Sequence, residues 1–556
     1  MKKLIPLFSF VIFLLPSDVH AQCAGVTSCT AASANASDVQ AALNSINLDG
    51  TTLTIPAGKV AWGSLSSGAC AINYSATHSF TLMGASNIVF TGTPGQANYT
   101  FTDDGGTTII DHVGHNIQDN PALCLGVTAG KTMRLTGISF VQDASSVQSF
   151  NGAWLSISGP DGASARIDHV HFTISQNNSL AFNTNGGWEG VWDHIVGDGI
   201  QGSGWRDHGT NNTDWTIPGN FGTNTSGWRY FESSIFHNFS NDGIAGGRMV
   251  YRFNTQHMSG SGPTPTEPLQ THGTGSGFDS RAMRAFEVYG NSFNCPTYLC
   301  DTGMEMTSSS GLLWGNTFIP AAPGSVGWTS AWRTTENRYQ GTPYAQTAPP
   351  QGWGYCGTNF NGTGSPWDQT LTSGYRCLDQ VGAGAGDLLT GNFPNKVNST
   401  TGTIAWPHQA LEPVYEWMDA WTAPNGFSNT GFWGNQAGAV IQANRDYYLD
   451  CSPTSASGCT SFNGTVGVGH GTLLPTNSSA YTGAPNCTTG VAYWDTAQGS
   501  WNQSGNGFGQ GELFLCTATN TWTLYYTPLT YPHPLISGQT SGAAPSPPTN
   551  VVVSVH

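Results

Sequence analysis

Arginine is concentrated in one short stretch of this chain. Four of its twelve arginines (Arg248, Arg252, Arg281 and Arg284) lie within 37 residues, although only 9% of all residues are charged. A guanidinium group binds a carboxylate in a bidentate way, so a row of them matches the carboxylates of a uronic acid polymer. Structural ion pairs, such as Arg252 with Glu287, are the alternative explanation.

Histidines and carboxylates accompany these arginines in the sequence. Elimination at a uronic acid needs a cation to neutralise the carboxylate, a base for the adjacent proton and an acid for the departing oxygen. His257 and His272 are candidate bases, and the oxygen ligands Asp242 and Glu305 suit a calcium ion. The predicted catalytic residues are Arg248, Arg252, His257, His272, Arg281 and Arg284.

Tryptophan and histidine side chains near the same stretch could bind a sugar chain. Aromatic rings provide flat platforms for sugar rings, although tryptophan also fills protein cores. The predicted substrate-binding residues are Trp192, Trp205, His208, Trp228 and His237.

Two other kinds of chemistry remain open. A glycoside hydrolase needs two facing carboxyl groups, which Asp242 with Glu305 or Asp301 could supply. Further carboxylates are found at Asp193, Asp198 and Asp207. The run Asp168-His169-Val170-His171 suggests a metal site, but two histidines alone are an incomplete set of ligands.

A local repeat indicates how these residues are positioned. Val288-Tyr289-Gly290-Asn291-Ser292-Phe293 and Leu313-Trp314-Gly315-Asn316-Thr317-Phe318 share an apolar residue, an Asn and a final aromatic. Looser copies are Ile167 to Phe172, Val191 to Val196, Phe231 to Phe236 and Tyr251 to Gln256. Their last positions are 24, 40, 20, 37 and 25 residues apart.

Steps of roughly 20 to 25 residues fit one coil of three short strands. The Asn residues would then form a hydrogen-bonded ladder, and the aromatic rings would stack inside. A β-sandwich is the alternative, but hairpin turns would recur every 8–12 residues or so. The two long steps place insertions within Gly199–Gly227 and near His257–Asp279, where long loops usually frame a binding site.

The two ends of the chain carry their own signals. Lys2 and Lys3 precede an apolar run that is too short to span a membrane, and Ala21 ends a cleavage pattern, so we predict a signal peptide. Ser37-Asp38 resembles a helix cap before the apolar positions Val39, Leu43 and Ile46.

Composition limits the class of protein and its partners. Low charge and 72 glycines favour a β-rich chain over a helical one. The net charge of −16 argues against nucleic acid as a partner. We expect a secreted monomer without a membrane span that acts on a polysaccharide.

Twelve cysteines in an exported chain suggest disulfides. Close neighbours suggest the pairs Cys23/Cys29, Cys295/Cys300, Cys356/Cys377 and Cys451/Cys459. The pairs Cys70/Cys124 and Cys487/Cys516 would follow by elimination, although sequence alone cannot prove the connectivity.

The predicted helix followed by Leu53-Thr54-Ile55-Pro56-Ala57-Gly58, with the Gly-Asn-Ser/Thr-Phe coils, resembles the pectate-lyase-like right-handed parallel β-helix superfamily over roughly residues 37 to 320. Cys377-Leu378-Asp379-Gln380 and Tyr531-Pro532-His533-Pro534-Leu535 are similar to stretches of exported bacterial β-helix repeat proteins. The superfamily includes lyases, polygalacturonases, tailspikes and adhesins, so fold alone does not fix function. The full polygalacturonase pattern of Asn-Thr-Asp, paired Asp, Gly-His-Gly and Arg-Ile-Lys is absent.

We therefore predict an all-β chain: a right-handed parallel β-helix with an N-terminal cap helix, long loops and a disulfide-rich C-terminal region. Its predicted parts are a signal peptide (1–21), the β-helix (22–320), late coils or a disulfide-pinned region (321–537), and a linker and tail (538–556). The favoured function is a polysaccharide lyase, with calcium as a candidate cofactor. A glycoside hydrolase and a non-catalytic adhesin or glycan-binding scaffold are the alternatives.

Overall fold

The computed structural model describes most of the chain outside a set of loops and the two ends. The described residues are 23–62, 70–111, 122–142, 153–175, 180–210, 213–225, 227–258, 267–271, 281–295, 300–319, 328–334, 379–387, 408–420, 432–434, 441–450 and 461–536. The predicted signal peptide and the tail 538–556 lie outside them.

The described chain is all-β apart from one short α-helix and one turn of 3-10 helix at Asp214–Thr216. Twenty-six strands join one large sheet. Strands that follow each other in sequence mostly do not pair; each pairs in parallel with a strand of the next coil, as Trp228–Glu232 does with Arg248–Arg252. The strands thus stack in three columns, an arrangement consistent with a β-helix or solenoid and not with a sandwich.

We name the columns A, B and C in the order in which each coil visits them. Column A contains Ser28–Thr30, Thr51–Thr54, Phe80–Met83, Trp228–Glu232, Arg248–Arg252, Ala285–Tyr289, Ser310–Trp314, Val414–Trp417 and Tyr447–Tyr448. Column B contains Gly58–Ala61, Thr107–Asp111, Thr255–His257, Ser292–Asn294 and Thr317–Ile319. Column C contains Ile72–Ala76, Leu123–Val127, Leu155–Gly159, Leu180–Gly186, Leu269–Thr271, Cys300–Met306, Trp328–Thr334 and Phe432–Gly434. Longer strands cross between columns: Thr132–Gln142, Ser164–Thr173, Glu189–His208 and Ile235–Ile244.

The predicted repeat is the coil repeat, with one correction. Phe236, Gln256, Phe293 and Phe318 pair successively in register, as the spacing predicts. The copy at Val191 to Val196 is misplaced by one residue, because Phe172 and Phe236 both pair with Gly197. Glycine there removes the apolar side chain by which the other copies are recognised.

The asparagine ladder is confirmed inside the stack. Asn254, Asn291 and Asn316 are buried, and each accepts the backbone N–H of the preceding coil at 2.9–3.2 Å. Aromatic rings also stack in register, with Phe293 and Phe318 4.9 Å apart at 10°. These side chains link neighbouring coils along the axis of the stack.

Replacing Asn291 with Ala should destabilise the stack strongly. Asn291 accepts from the backbone N–H of Asn254 and donates to the carbonyl of Tyr251, both buried. Each orphaned buried group costs about 1–3 kcal/mol. The measurement is the midpoint of urea unfolding, with the exposed Asn98→Ala as control. Equal midpoints for the two variants would show that the ladder contributes nothing.

The N-terminal helix is present, but its cap was predicted two residues too late. The helix spans Ala36–Asn44 with Asn35 at the N-cap, and Val39 and Leu43 are buried. Asp38 lies in the first turn, where it accepts the Ser33 hydroxyl. This short segment packs beside the strand Ile72–Ala76 near the first coils.

The outer face of column A is covered by two other segments. One is the insertion, of which residues 209–210, 213–225 and 227 are described. The other is the region 461–536, in which Val468–Gly471, Ala492–Asp495, Glu512–Ala518 and Thr521–Tyr526 form a separate four-stranded sheet. Trp494 of this sheet packs on Trp314 and Trp417 of column A, at 4.6 and 5.2 Å. Two antiparallel pairs complete the described strands: Ile88–Thr91 with Thr100–Asp103, and Ala383–Asp387 with His408–Leu411.

Four predicted disulfides are present: Cys23–Cys29, Cys70–Cys124, Cys295–Cys300 and Cys487–Cys516. The predicted pairs Cys356/Cys377 and Cys451/Cys459 lie outside the described residues. Within the described part of the chain, we find no helix with the length and apolar character that a membrane crossing requires.

Candidate functional site

The clustered arginines form buried ion pairs instead of an open row. Arg248 donates to Asp214 at 2.7 Å, and Arg252 donates to Glu232 at 2.7 Å. Both arginine side chains have no exposed surface. Both side chains lie on the same face of the strand Arg248–Arg252, and the insertion and the region 461–536 cover that face. The partner of Arg252 is Glu232 and not the expected Glu287.

Arg281 and Arg284 are buried in the same way. Arg281 makes a bidentate pair with Asp379, and Arg284 pairs with Glu412 at 2.6 Å. The ring of Trp215 lies against both guanidinium groups. Their positions do not support the predicted contact with substrate, and we leave all four arginines out of the candidate site.

The three predicted tryptophan platforms are also fully buried. Trp192 stacks on Phe182 inside the coils at 4.0 Å, and Trp205 packs at 4.9 Å on Phe236. Trp228 lies under the insertion, where its indole N–H donates to the carbonyl of Gly219. None of the three has an exposed face for a sugar ring.

The remaining predicted residues fall in other places. His208 is in column C, in register with Ile244. Glu305 pairs with Arg333 at 3.2 Å and accepts from Gln270, also in column C. His272 and the side chain of Asp242 lie outside the described residues. Among the residues described, no group of three or more His, Cys, Asp or Glu side chains is placed to hold a metal ion.

Of the predicted residues that the structure describes, His237 and His257 alone lie together on an accessible face. They follow the inward-facing Phe236 and Gln256 in column B, so strand alternation places them outside. The register places one outward residue per coil in a row, running from Thr173 through Asp198, His237 and His257 to Asn294. With His171 and Asp103, which contact this row, we define the histidine row as Asp103, His171, Asp198, His237 and His257.

His171 is held between two carboxylates. Its Nδ1 is 2.8 Å from Asp103, and its Nε2 is 2.9 Å from Asp198. Burial opposes the charged imidazole, but the bonds to the two carboxylates outweigh it and raise the pKa of His171 to about 9. Burial alone would raise the pKa of the Asp103 and Asp198 carboxyls. Their hydrogen bonds, first of all those with His171, outweigh burial and lower the pKa of both. An ionised carboxylate only accepts, so both nitrogens of His171 donate and the ring is an imidazolium.

His237 has a fixed tautomer for the same reason. Its Nδ1 is 2.5 Å from Asp198 and must donate to that carboxylate, which leaves Nε2 at the other end of the ring as the acceptor of the neutral form. The side chains of His237 and Asp198 are 36% and 34% exposed. A carboxylate that orients an accessible imidazole is the arrangement of a general base.

His257 complements His237. The two rings lie 4.9 Å apart. Burial, helped by His237, lowers the pKa of His257 to about 4, so its ring is neutral at pH 7. The amide nitrogen of Asn294 lies 3.4 Å from its Nδ1, so that atom accepts and Nε2 carries the proton. The row therefore presents an acceptor on one ring beside a neutral donor on the next.

A β-hairpin forms one wall of the row. Its strands Ile88–Thr91 and Thr100–Asp103 supply Asp103 and also Phe101, which packs edge-on at 5.2 Å against His171. The Tyr99 hydroxyl donates to the carbonyl of Ser233, and the carbonyl of Gln96 accepts from Thr255. The hairpin is thus attached along the outer face of column B, and the side chain of His237 keeps 36% of its surface exposed.

The charge on His171 predicts a pH dependence of stability. Its pKa rises from an ordinary value near 6.5 to about 9 on folding, so its stabilising effect is complete below about pH 6.5 and is lost as pH rises through about 9. We expect His171→Gln to lower the melting temperature most at pH 6 and least at pH 10. A His169→Asn variant serves as control, and a His171→Gln deficit that stays constant across this range would contradict the assignment.

Asp103, His171 and Asp198 were not predicted as members of one site. Asp198 and His171 were noted as separate carboxylate and metal candidates. Asp198, His237 and His257 follow from the repeat itself, since each comes one position after the last residue of a copy, whereas His171 comes one position before Phe172. Asp198 was missed because the copy at Val191 to Val196 was placed one residue too early. Asp103 comes from a hairpin that the repeat does not contain.

Comparison with known proteins identifies no relative. No family model, no curated protein and no solved structure matches the chain. The function must therefore be inferred from the site itself.

Proposed function

We propose that this protein is an exported polysaccharide lyase, built on a right-handed parallel β-helix of the pectate-lyase-like kind, that cleaves a uronate-containing polymer by β-elimination. The histidine row is the observation that supports the proposal. It combines an oriented acceptor on His237, a neutral donor on His257 and a positive charge on His171 at neutral pH, all on the outer face of column B.

Each residue of the row has a role in elimination. The Nε2 of His237 removes the proton next to the uronate carboxylate, while Asp198 holds the ring and stabilises the imidazolium that forms. The N–H of His257 donates a hydrogen bond to the carboxylate oxygen of the substrate, where negative charge builds up as the proton is removed. The bond to the 4-oxygen then breaks, and a double bond forms between carbons 4 and 5. The His237 imidazolium then passes the proton that it removed to the leaving 4-oxygen, so the ring returns to its neutral form and the step balances.

A glycoside hydrolase fits neither the carboxyl groups of the row nor the pair Glu267 and Glu305 well. It needs one protonated carboxyl acting as the acid, with a raised pKa, and a second carboxyl about 5–9.5 Å away. Asp103 and Asp198 in the row have lowered pKa values. Burial and Glu305 raise the pKa of Glu267 to about 7, but Glu267 is hydrogen-bonded to Glu305 directly, too close for a sugar to pass between them.

The neutralisation of the uronate carboxylate has two candidate sources. One is hydrogen bonding from the row itself, and the other is a calcium ion, which among the described residues has no site of its own. The elimination steps given above use residues of the row alone. A requirement for it would mean that the substrate carboxylates or residues outside the described ranges supply its ligands.

The proposal is tested by the ultraviolet absorbance of new unsaturated uronates. The purified mature protein is incubated with polygalacturonate, alginate, glycosaminoglycans and ulvan, once with calcium and once with a chelator. We expect absorbance to rise with one class of polymer. New reducing ends without that absorbance would indicate a hydrolase instead, and neither signal on any polymer would favour a glycan-binding scaffold.

A further inference from the structure

A cavity of about 260 Å³ lies at the tip of the hairpin, outside the histidine row. Three separate parts of the chain line it. Thr93, Pro94 and Gln96 come from the hairpin tip, Phe253 from the corner between columns A and B, and Asn506, Gly507 and Phe508 from a loop of the region 461–536. This is smaller than typical sites for drug-sized molecules, so the cavity has room for one ring and not for a whole oligosaccharide.

The lining combines aromatic and amide groups. The rings of Phe253 and Phe508 meet edge-to-face at 5.1 Å, and Phe508 packs on Trp314 at 5.4 Å, which holds the apolar floor in place. The Asn506 carbonyl oxygen accepts from the backbone N–H of Phe508, which orients its amide group. Gln96 is exposed at the rim. Apolar rings with a few carboxamides match a sugar, which has apolar C–H faces and hydroxyl edges.

The position of the hairpin tip connects the cavity to the row. The carbonyl of Gln96 accepts from the hydroxyl of Thr255, and Thr255 lies two residues before His257 on the same outer face. Gly95 has a positive φ of 76° and lies against the backbone of Gly290, where a side chain would collide. The tip is therefore held close to the stack, between the cavity and the histidine row.

We propose that this cavity is an accessory subsite that binds one sugar ring of the same polysaccharide, beside the place where the chain is cut. The inference rests on the proposed function, since it takes the polymer along the histidine row as the ligand. It also gives the region 461–536 a role in substrate binding, because Asn506 and Phe508 supply half of the recognition groups.

Retardation in native gels that contain the polymers measures binding without catalysis. All proteins carry His237→Asn to prevent turnover, and the gels contain polygalacturonate, alginate, chondroitin sulfate or ulvan. Phe508→Ala should weaken binding about 3- to 10-fold, the typical effect of one aromatic contact. Trp522→Ala, a half-buried ring of the same region away from the cavity, should bind like the parent protein.

A second variant covers the case in which Phe508→Ala perturbs the loop. Gln96→Ala removes an exposed amide from the rim, with Asn98→Ala on the same hairpin as its control. Weaker binding by Phe508→Ala and Gln96→Ala, with unchanged controls, supports the subsite. Parental retardation of both variants overturns the subsite but leaves the lyase proposal intact. A parent that no polymer retards also overturns it, whereas the lyase proposal depends on the product assay alone.

Discussion

His237→Asn should reduce the rate of elimination by about 10²–10⁴-fold, the usual contribution of a general base. Asparagine keeps a polar group near Asp198 but has no nitrogen that can accept a proton. The hydrogen bond from His237 to Asp198 is at the accessible end of the row, so the loss should appear in the catalytic rate with little change in the unfolding midpoint. The measurement is the initial rate of unsaturated uronate formation on the responsive polymer.

His169→Asn is the matched control. The side chain of His169 is as exposed as that of His237, at 36%, and its Nδ1 also contacts a carboxylate, that of Asp168. It lies outside the row, stacked on His194 beside Phe90. Its backbone has a positive φ of 50°, which Asn tolerates. We expect its rate to stay within about twofold of the wild type, and equal losses in the two variants would show that the row has no special role.

Arg252→Leu should destabilise the protein by about 3–5 kcal/mol, the usual cost of removing one partner of a buried ion pair. Its guanidinium donates to Glu232, to the Tyr289 hydroxyl and to the carbonyls of Leu529 and Thr530. The substitution leaves a buried carboxylate and two carbonyls without this donor. The midpoint of urea unfolding measures the loss, and the segment around residue 530 should become more accessible to protease.

Arg134→Leu is the control for this arginine. The Arg134 side chain is 41% exposed, and its partner Asp168 keeps contacts with His169 and with Arg166 at 3.6 Å. We expect a clearly smaller loss of stability. If Arg252→Leu instead kept the full unfolding midpoint and lost only activity, Arg252 would have the catalytic role that the sequence suggested.

The stack of coils could be predicted because its signals are local and periodic. The ladder asparagines and the inward aromatics, where they occur, take the same positions in successive coils, and both are visible in a window of six residues, as at Val288–Phe293. Close cysteine neighbours likewise predicted Cys23–Cys29 and Cys295–Cys300. The prediction failed at Gly197, where the apolar signal is missing although the backbone continues the repeat.

The candidate site was less predictable because burial is decided by distant segments. Strand alternation places Arg248 and Arg252 on the same face of their strand, but no pattern near them indicates that the insertion and the region 461–536 cover that face. Asp103 reaches His171 from a hairpin 68 positions earlier in the chain. Such contacts depend on tertiary packing, which periodicity does not encode.

The masses of the oligosaccharides released by the wild-type protein distinguish a lyase from a hydrolase. Each elimination leaves one of its two products with an unsaturated non-reducing end, one water lighter than the hydrolytic product, because a double bond replaces the added water. We predict such fragments from a uronate-containing polymer, and their loss with His237→Asn. Fragments of full hydrolytic mass, or an intact polymer after prolonged incubation, would contradict the assignment of this protein as a lyase.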